Sequence, residues 1–425
     1  MMNWMLMDMN SYFASVEQWL RPELRGRAIG IVPVESEGTC VIAASQPAKL
    51  KGVKVGTPVR DARRLCPGIL LVQARPKVYV DIHGQLLRSV ETCTPVHKVY
   101  SIDEWTIQLM GDEREPARAR ELGLAIKNRL RADFGPELTC SIGIAPSRLL
   151  AKIASNLRKP DGLTVLDPSE LPERIEGLSL RSLTGIGAGI HKRLEGHGVR
   201  TVRELWNLSR REASQIWGSA SGGDWWAGFH GLDEPEVPTR RNSMTHASVL
   251  GPDFRSDEGA YGILVRLVCR LGVRLRRDNY YARTLTLAVD LLDEGRGTRR
   301  PGGPATEGNR GYGGRQGPGF TESIETAFVQ DTPTLLLLLE RLWEKRPSPP
   351  IRPLKVGGTV SGLTPASNVP RSLFSDDARR QRISAAMDAI NARCGASKLY
   401  PALMHGFRHH MDDKIAFGRI PDSSQ

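Results

Sequence analysis

Residues 101–104 read Ser-Ile-Asp-Glu, and they place two adjacent acids, Asp103 and Glu104, between the strand-forming runs 96–100 and 105–107. Consecutive side chains in a regular strand point to opposite faces of the sheet. If both carboxylates serve one site, the chain must turn or bulge at this point. The stretch therefore predicts a hairpin with the two acids at its tip.

A third acid, Asp8, follows the apolar run 4–7, which predicts a buried strand, and precedes the helix-like segment 11–17. Three carboxylates at strand ends suit Mg²⁺, which takes oxygen ligands and completes its shell with water and substrate phosphates. Two such ions, about 3.5–4 Å apart, can hold the attacking and leaving oxygens of an in-line displacement. Alternatively, the Asp-Glu pair is only a solvated hairpin tip, which is the more common role of such a dipeptide on its own.

The sequence around these acids resembles the two catalytic motifs of the Y-family, or translesion, DNA polymerases of the polymerase IV and V type. Residues 8–17 (Asp-Met-Asn-Ser-Tyr-Phe-Ala-Ser-Val-Glu) and 100–104 (Tyr-Ser-Ile-Asp-Glu) carry the resemblance. It continues through residues 48–56, 74–76, 141–145, 150–155 and 159–162. It covers most of the first 240 residues and, more loosely, the next 120.

The resemblance implies an α+β multidomain protein with the right-hand architecture of a polymerase. The expected domains are a catalytic palm at 1–20 and 78–166, fingers at 21–77, a helix-hairpin-helix thumb at 167–236, a linker at 237–243, a DNA-binding little finger at 244–363 and a tail at 364–425. Residues 301–319 are a Gly-rich insertion in the little finger, for which composition predicts a disordered loop.

The resemblance also assigns the catalytic and metal-binding residues. Asp8, Asp103 and Glu104 would bind two Mg²⁺ ions, with the carbonyl of Met9 as a backbone ligand. The reaction implied is the attack of a primer 3'-hydroxyl on a deoxynucleoside triphosphate.

A helix that starts beside Asp8 would offer unpaired N–H groups to the triphosphate, because such groups bind anions. In the resembled family the triphosphate lies there, and Phe13 would be a steric gate against ribonucleotides. Alternatively, Tyr12 and Phe13 are core residues of the helix. The expected nucleotide-binding residues are Asn10, Ser11, Tyr12, Phe13, Gln46, Lys49 and Lys159.

Two of these residues depart from the commonest family pattern, which has tyrosine and arginine where this chain has Gln46 and Lys49. Lysine binds phosphate as a point charge but lacks the bidentate fork of arginine. We therefore expect weaker binding of the nucleotide. Lys159 is either a triphosphate contact, as in the family, or a cation at the end of a helix.

DNA-binding residues are expected in two regions. Residues 183–190 look like a helix-hairpin-helix, in which Gly185, Gly187 and Gly189 would let backbone amides approach a phosphate without reading sequence. A helical turn with glycine caps is the alternative. In the little finger, the expected DNA contacts are Arg274, Arg276, Arg277 and Arg283, for which solvated helix arginines are the rival interpretation.

Residues 369–374 (Val-Pro-Arg-Ser-Leu-Phe) resemble the pentapeptide by which bacterial polymerases dock on the sliding clamp, with Pro370 where glutamine is usual. Leu373 and Phe374 are the apolar pair that a clamp pocket would bury. Alternatively, they pack against the following helix as a hydrophobic staple.

Composition limits the classes of protein. With 59 Lys and Arg against 47 Asp and Glu, the net charge is +12, which favours a polyanionic partner. No apolar run approaches the roughly 20 residues that span a bilayer, and the six cysteines lack the spacing of a zinc site. We expect a cytoplasmic monomer without a membrane partner.

The sequence therefore predicts a translesion DNA polymerase whose substrates are primer-template DNA and deoxynucleoside triphosphates and which docks on a sliding clamp. A catalytically weak or silent adaptor that retains the DNA and clamp contacts is the alternative from another class. Retention of all three acids argues against it, whereas Gln46 supports it. A nuclease or cyclase with the same metals would leave the thumb motif and the Arg-rich region unexplained.

Overall fold

The computed structural model describes residues 1–37, 39–235, 241–292, 318–348, 350–370, 375–395 and 398–407. These residues form two compact units, one before the gap at 236–240 and one after it. Each unit combines sheet and helix, so the predicted α+β class is confirmed. Among the helices within these ranges, none has the length and apolar character needed to cross a bilayer.

The first unit contains a large sheet, a small sheet and a helical region. In chain order its elements are β1 (Trp4–Met9), α1 (Tyr12–Leu20), β2 (Ile29–Val32), β3 (Ala43–Ala44), α2 (Gln46–Leu50), α3 (Val59–Leu65), β4 (Leu70–Gln73), α4 (Pro76–Glu91), β5 (Lys98–Ser101), β6 (Glu104–Gln108), α5 (Pro116–Phe134), β7 (Cys140–Ala145), α6 (Arg148–Leu157), β8 (Leu163–Val165), α7 (Ala188–Gly196), α8 (Val202–Trp206), α9 (Arg210–Trp217) and α10 (Ser221–Phe229).

The large sheet has the strand order β5-β6-β1-β7-β8. Strand β1 lies in its centre, antiparallel to both β6 and β7, and it is apolar on both faces because both are covered. Its residues Met5 and Met7 belong to the core shared with α1, α4 and α5, whereas Trp4 and Leu6 belong to the core shared with α6. Asp8 therefore shares the α6 face, because alternate residues of a strand point the same way.

Helix α6 packs unusually close to the sheet at Gly143 of β7. A Cβ at this position would meet the backbone oxygen of Ala151 at 2.0 Å, so a larger residue would push the helix away. The helix begins at a Ser147 cap, whose hydroxyl accepts a hydrogen bond from the N–H of Leu150. This close approach brings Lys152 of α6 within reach of the acids on β1 and β6.

The small sheet, with order β3-β2-β4, has its own core with α2 and α3. Helices α7 to α10 form a further core with one face of α6 and the large sheet. The predicted boundaries of palm, fingers and thumb stay predictions.

The second unit is a four-stranded antiparallel sheet, order β11-β10-β12-β9, with α11 and α12 packed into its core. In chain order its elements are β9 (Ser243–Val249), α11 (Asp257–Arg277), β10 (Tyr280–Leu291), β11 (Gly319–Val329), α12 (Thr332–Glu344), β12 (Pro353–Ser361), β13 (Thr364–Pro365) and α13 (Ser375–Cys394). The 3-10 helix Ala402–Phe407 packs on α11, where a Cβ at Gly262 would meet the ring of Phe407 at 2.2 Å.

Candidate active site

The two adjacent acids lie at the hairpin between β5 and β6. Ser101 pairs with Glu104 across it, so Ile102 and Asp103 form a two-residue turn, as the sequence predicted. Ile102 is buried in the core, whereas Asp103 lines the adjoining cavity. The hydroxyl of Ser101 donates to Asp103 Oδ1 at 2.5 Å. The turn thus separates the two neighbouring side chains and directs the acid out of the core.

Asp8 lies directly opposite Glu104 in the register of β1 and β6, so their side chains are on the same face. Lys152 donates to Asp8 Oδ2 at 2.5 Å and also to Glu104 Oε2. Lys159 Nζ lies 2.7 Å from the other oxygen of Asp8, Oδ1. Both oxygens of the Asp8 carboxylate therefore contact an ammonium group.

These contacts set the charge state of the site. Burial alone would raise the pKa of Asp8, but the positive charges of Lys152 and Lys159 outweigh it and hold that pKa below its ordinary value. Burial would likewise lower the pKa of Lys152, whereas Asp8 and Glu104 raise it. The carboxylate of Asp8 and the ammonium of Lys152 are therefore both ionised at neutral pH.

The predicted metal ligands come from the end of β1 and from the hairpin. The N–H of Met9 donates to Asp103 O at 2.8 Å, which ties the two segments together. Across the described part of the chain, no three His, Cys, Asp or Glu side chains form a group that could hold a metal ion. The donor set nevertheless fits Mg²⁺, because Asp8 and Glu104 already direct carboxylate oxygens at one cation, the ammonium of Lys152.

A cavity of about 260 Å³ opens beside Asp8, Met9 and Asp103. It brings together four stretches of the chain that are far apart in sequence, namely 8–13, 42–55, Asp103 and 159–160. Every predicted nucleotide-binding residue lines it: Asn10, Ser11, Tyr12, Phe13, Gln46, Lys49 and Lys159.

Helix α1 starts at the wall of this cavity, after Ser11, whose φ of 50° lies in the left-handed region. The first N–H groups of a helix lack intrahelical acceptors and attract anions. Asn10 differs from the prediction, because its N–H donates to Thr139 O at 2.9 Å. Its side chain donates to Ser141 Oγ at 2.9 Å and accepts from the N–H of Asp161 at 2.8 Å. The backbone N–H of Asn10 is therefore not available to a phosphate, and its side chain positions the loop that carries Lys159.

Phe13 is buried and stacks on Tyr79, with ring centroids 4.4 Å apart and an interplanar angle of 13°. The hydroxyl of Tyr79 donates to Glu17 at 2.9 Å, and Arg75 binds the same carboxylate with two hydrogen bonds of 2.9 and 2.6 Å. Glu17 is fully buried. This network fixes the position of the Phe13 ring at the cavity wall, as a steric gate requires.

For the side chain of Tyr12, the structure agrees with the alternative interpretation, in which it is a core residue of the helix. Its hydroxyl donates to Tyr79 O at 2.7 Å, and burial raises the pKa of the phenol. The side chain belongs to the core of the unit, and only the start of its helix bears on the cavity.

Gln46 and Lys49 lie on the short helix α2, 33 and 36 positions beyond Phe13 in the sequence, and both line the cavity. Desolvation, followed by the like charge of Lys159, lowers the pKa of Lys49. The two lysines are therefore close enough to repel each other, and an anion between them would relieve that repulsion.

His83, which sequence analysis missed, lies beneath the acidic hairpin. Its Nδ1 is 2.7 Å from Ile102 O, and its ring packs edge-on against Trp105. Because a carbonyl only accepts hydrogen bonds, this geometry puts the proton on Nδ1. Burial lowers the pKa of His83 and thereby favours the neutral ring. His83 is a positioning residue for the turn that carries Asp103.

Of the three predicted DNA-binding glycines, Gly185 and Gly187 precede α7 and Gly189 is its second residue. Gly185 has a φ of +93°, and a Cβ there would meet the indole nitrogen of Trp225 at 2.6 Å, so local structure alone requires glycine. A Cβ at Gly187 or Gly189 would meet no heavy atom within 4 Å in the described chain. Among the described residues, none therefore occupies the space beside these two backbone positions.

Arg276 contradicts its prediction as a DNA contact. Its guanidinium binds Asp388 of α13 with two hydrogen bonds of 2.6 and 2.9 Å and donates to Gln330 O at 2.6 Å. Its side chain is only 10% exposed. Arg276 holds α13 against α11 and α12, and its charge is already balanced inside the unit.

The other predicted arginines are less enclosed. Arg274 donates to Thr245 O at 3.1 Å, and Arg277 donates to Asp278 at 3.2 Å. Arg283 lies over the ring of Phe328, 5.5 Å from its centroid, and its side chain is exposed. Leu373 and Phe374, the predicted clamp contacts, lie outside the described residues.

Lys152 is the main functional residue that sequence analysis did not single out, although it lies in the motif 150–155. A lysine among the buried residues Leu150, Ala151, Ile153 and Ala154 is a weak signal on its own. Its partners come from β1 and β6, 144 and 48 residues away, and only the fold reveals them.

Comparisons with known proteins identify the family of the chain. A family model described as the impB/mucB/samB family matches residues 7–156, and the C-terminal domain model of that family matches residues 241–373. The chain is 30% identical over 418 residues to the DNA polymerase IV of Pelotomaculum thermopropionicum, covering 94% of each. It is 31% identical over 410 residues to that of Moorella thermoacetica, covering 94% of this chain and 95% of the relative.

Among solved structures, the fold is similar to a "Y-family DNA polymerase chimera Dbh-Dpo4(243-245)-Dbh", with a TM-score of 0.65 and 19% identity over 86% of this chain and 100% of that chain. It is also similar to an "Insertion ternary complex of Dbh DNA polymerase", with a TM-score of 0.52 and the same identity and coverage. These similarities confirm the predicted right-hand polymerase fold. The chain belongs to the impB/mucB/samB family and is a Y-family DNA-directed DNA polymerase of the translesion, polymerase IV type.

Proposed function

We propose that this polymerase adds deoxynucleotides by the two-metal reaction, with Asp8, Asp103, Glu104 and the Met9 carbonyl as ligands of two Mg²⁺ ions. The observation that supports the proposal is that Asp8 and Asp103 line one cavity with all the expected nucleotide-binding residues, while Glu104 lies opposite Asp8 on the neighbouring strand. When bound, the ions would lower the pKa of the primer 3'-hydroxyl and neutralise charge on the triphosphate.

The protein's own groups would orient the reactants. Lys49 and Lys159 would bind the triphosphate, whose charge relieves the repulsion between them. The N–H groups at the start of α1 would bind the same phosphates. Phe13, held by Tyr79, would pack against the deoxyribose and leave no room for a 2'-hydroxyl.

Alanine substitutions at Asp103 and Glu104 test the metal assignment. Each should lower primer extension by at least about a thousandfold, or about 4 kcal/mol of transition-state stabilisation. Primer-template affinity, measured by fluorescence anisotropy, should change little, because the expected DNA contacts lie elsewhere. Asp112→Ala, which removes an exposed acid from the same unit, is the matched control. Extension within about tenfold of wild type would show that the acid is not a metal ligand.

We also propose that Gly187, Gly189 and Arg283 contact the DNA backbone and that Leu373 and Phe374 dock the monomer on a sliding clamp. The double variant Leu373→Ala, Phe374→Ala should weaken clamp binding in a calorimetric titration and lower processivity, with single-nucleotide insertion unchanged. Equal clamp affinity of variant and wild type would show that the pair is structural.

A further inference from the structure

The acidic site already contains a cation from the protein itself. Lys152 bridges Asp8 Oδ2 and Glu104 Oε2, and its side chain is 18% exposed. Lys159 takes the remaining oxygen of Asp8. In the folded site, each oxygen of Asp8 therefore contacts an ammonium group.

The position of Lys152 follows from the backbone rather than from a flexible surface chain. Gly143 lets α6 approach the sheet, and the residues on either side of Lys152 are buried against it. Bringing unpaired carboxylates together in a partly buried site is unfavourable, and a cation between them offsets that cost. Asp8 and Glu104 face each other across two strands, so one ammonium group can serve both.

We propose that Lys152 is the resident counter-ion of the acidic site and that a divalent ion binds there only by displacing it from Asp8 or Glu104. This inference rests on the proposed metal assignment. It predicts that Lys152 weakens the binding of divalent ions in the absence of nucleotide, because an ion must compete with the ammonium for the same oxygens. It also predicts that Lys152 stabilises the protein when no divalent ion is present.

The matched substitutions are Lys152→Met, Lys152→Arg and Lys127→Met. Methionine removes the charge and approximately keeps the length of the side chain. Arginine keeps the charge and can hold two carboxylates. Lys127 is the control because it is another partly buried lysine of this unit, bound to Asp161 and to Cys140 O, but it touches none of the three acids.

Binding of Mn²⁺, a spectroscopic substitute for Mg²⁺, is measured by electron paramagnetic resonance of the free ion, without DNA or nucleotide. Lys152→Met should bind Mn²⁺ at least about threefold more tightly than wild type, because one positive charge and one competitor are gone. Lys152→Arg should bind it as weakly as wild type or more weakly, and Lys127→Met should match wild type. In thermal denaturation with chelator, Lys152→Met should melt at a lower temperature than wild type. Saturating Mn²⁺ should raise the Tm of Lys152→Met by more than it raises the Tm of wild type.

Unchanged or weaker Mn²⁺ binding by Lys152→Met would overturn the inference. If Lys152→Met does not fold in chelator, recovery of its circular dichroism on adding Mn²⁺ is the expected result, and no recovery would count against the inference. Asp103→Asn separates this failure from that of the proposed function. If Asp103→Asn loses Mn²⁺ binding but Lys152→Met has no effect on it, only the counter-ion role is overturned. If Asp103→Asn binds Mn²⁺ as wild type does, the metal assignment and this inference are both overturned.

Discussion

Charged residues in a family pattern predicted two functional regions, the acidic site of the first unit and the arginine-rich end of α11 in the second unit. In the structure, the charged residues of these two regions have different surroundings. In the first unit, Asp103 lines an open cavity and Asp8 and Glu104 meet across neighbouring strands. In the second, Arg276 is enclosed and bound to Asp388. Lysines of the same unit also balance the charge of Asp8 and Glu104, so what separates the two regions is the cavity that Asp8 and Asp103 line.

The difference lies in how each residue is placed. Asp103 is positioned by a two-residue turn that the sequence encodes locally, whereas Asp8 meets Glu104 through the pairing of β1 with β6. The role of Arg276 depends on α13, which is more than a hundred residues further along the chain. Residue type and family position therefore predicted which residues come together in the first region, but not the partner of Arg276 in the second.

The largest effect expected in the first region is on sugar selectivity. Phe13→Ala should raise the kcat/KM for a matched ribonucleotide relative to the deoxynucleotide by about a thousandfold, or about 4 kcal/mol, because the ring held by Tyr79 fills the space of a 2'-hydroxyl. Single-nucleotide insertion kinetics measure the ratio. Tyr12→Phe is the control, since it removes only a hydroxyl bound in the core. A ratio that does not move in Phe13→Ala would make Phe13 a core residue.

The second region is tested by Arg276→Met, which should lower the free energy of unfolding by about 2 kcal/mol by leaving Asp388 without its partner in a partly buried site. Urea denaturation measures the loss. Arg283→Met is the comparison, because it should keep stability and reduce the salt dependence of DNA binding by about one counterion. Weaker DNA binding of Arg276→Met at unchanged stability would restore the original prediction for Arg276.

A smaller effect is expected from Lys49→Arg in the first region. Arginine can bind phosphate with two parallel hydrogen bonds where lysine acts as a point charge. The KM for the incoming nucleotide should fall by about tenfold, or about 1.4 kcal/mol. Steady-state insertion kinetics give the value, with Lys51→Arg as a control on an exposed lysine just after the same helix. An unchanged or higher KM means that Lys49 does not meet the triphosphate.

The smallest effect concerns His83 and pH. Because its pKa is lower in the folded protein than the usual value of about 6.5, the unfolded chain binds more protons just below that value, and stability falls as the pH drops through this range. His83→Asn keeps a donor for Ile102 O but cannot titrate. Its stability should therefore fall less than that of wild type between about pH 7.5 and about pH 5.5. Equal losses in the two proteins, measured by urea denaturation, would rule out His83 as the source.

Much of this protein could be predicted from its sequence because the decisive residues are local. The hairpin at 101–104, the strand that ends near Asp8 and the helix that follows it are each encoded by neighbouring residues, through side-chain alternation and turn chemistry. The family motifs contain most of the residues that line the cavity, although Ile42, Ala43, Ala44 and Gln46 lie outside them. The α+β class and the polymerase fold followed from the same stretches.

The tertiary structure alone decided which side chains meet. Lys152 reaches Asp8 across 144 residues, Asn10 reaches Asp161 across 151, and Arg276 reaches Asp388 across 112. Each contact satisfies a charge or a polar group that burial would otherwise penalise. The partner is set by helix packing and strand pairing, and no local pattern of residues encodes that choice.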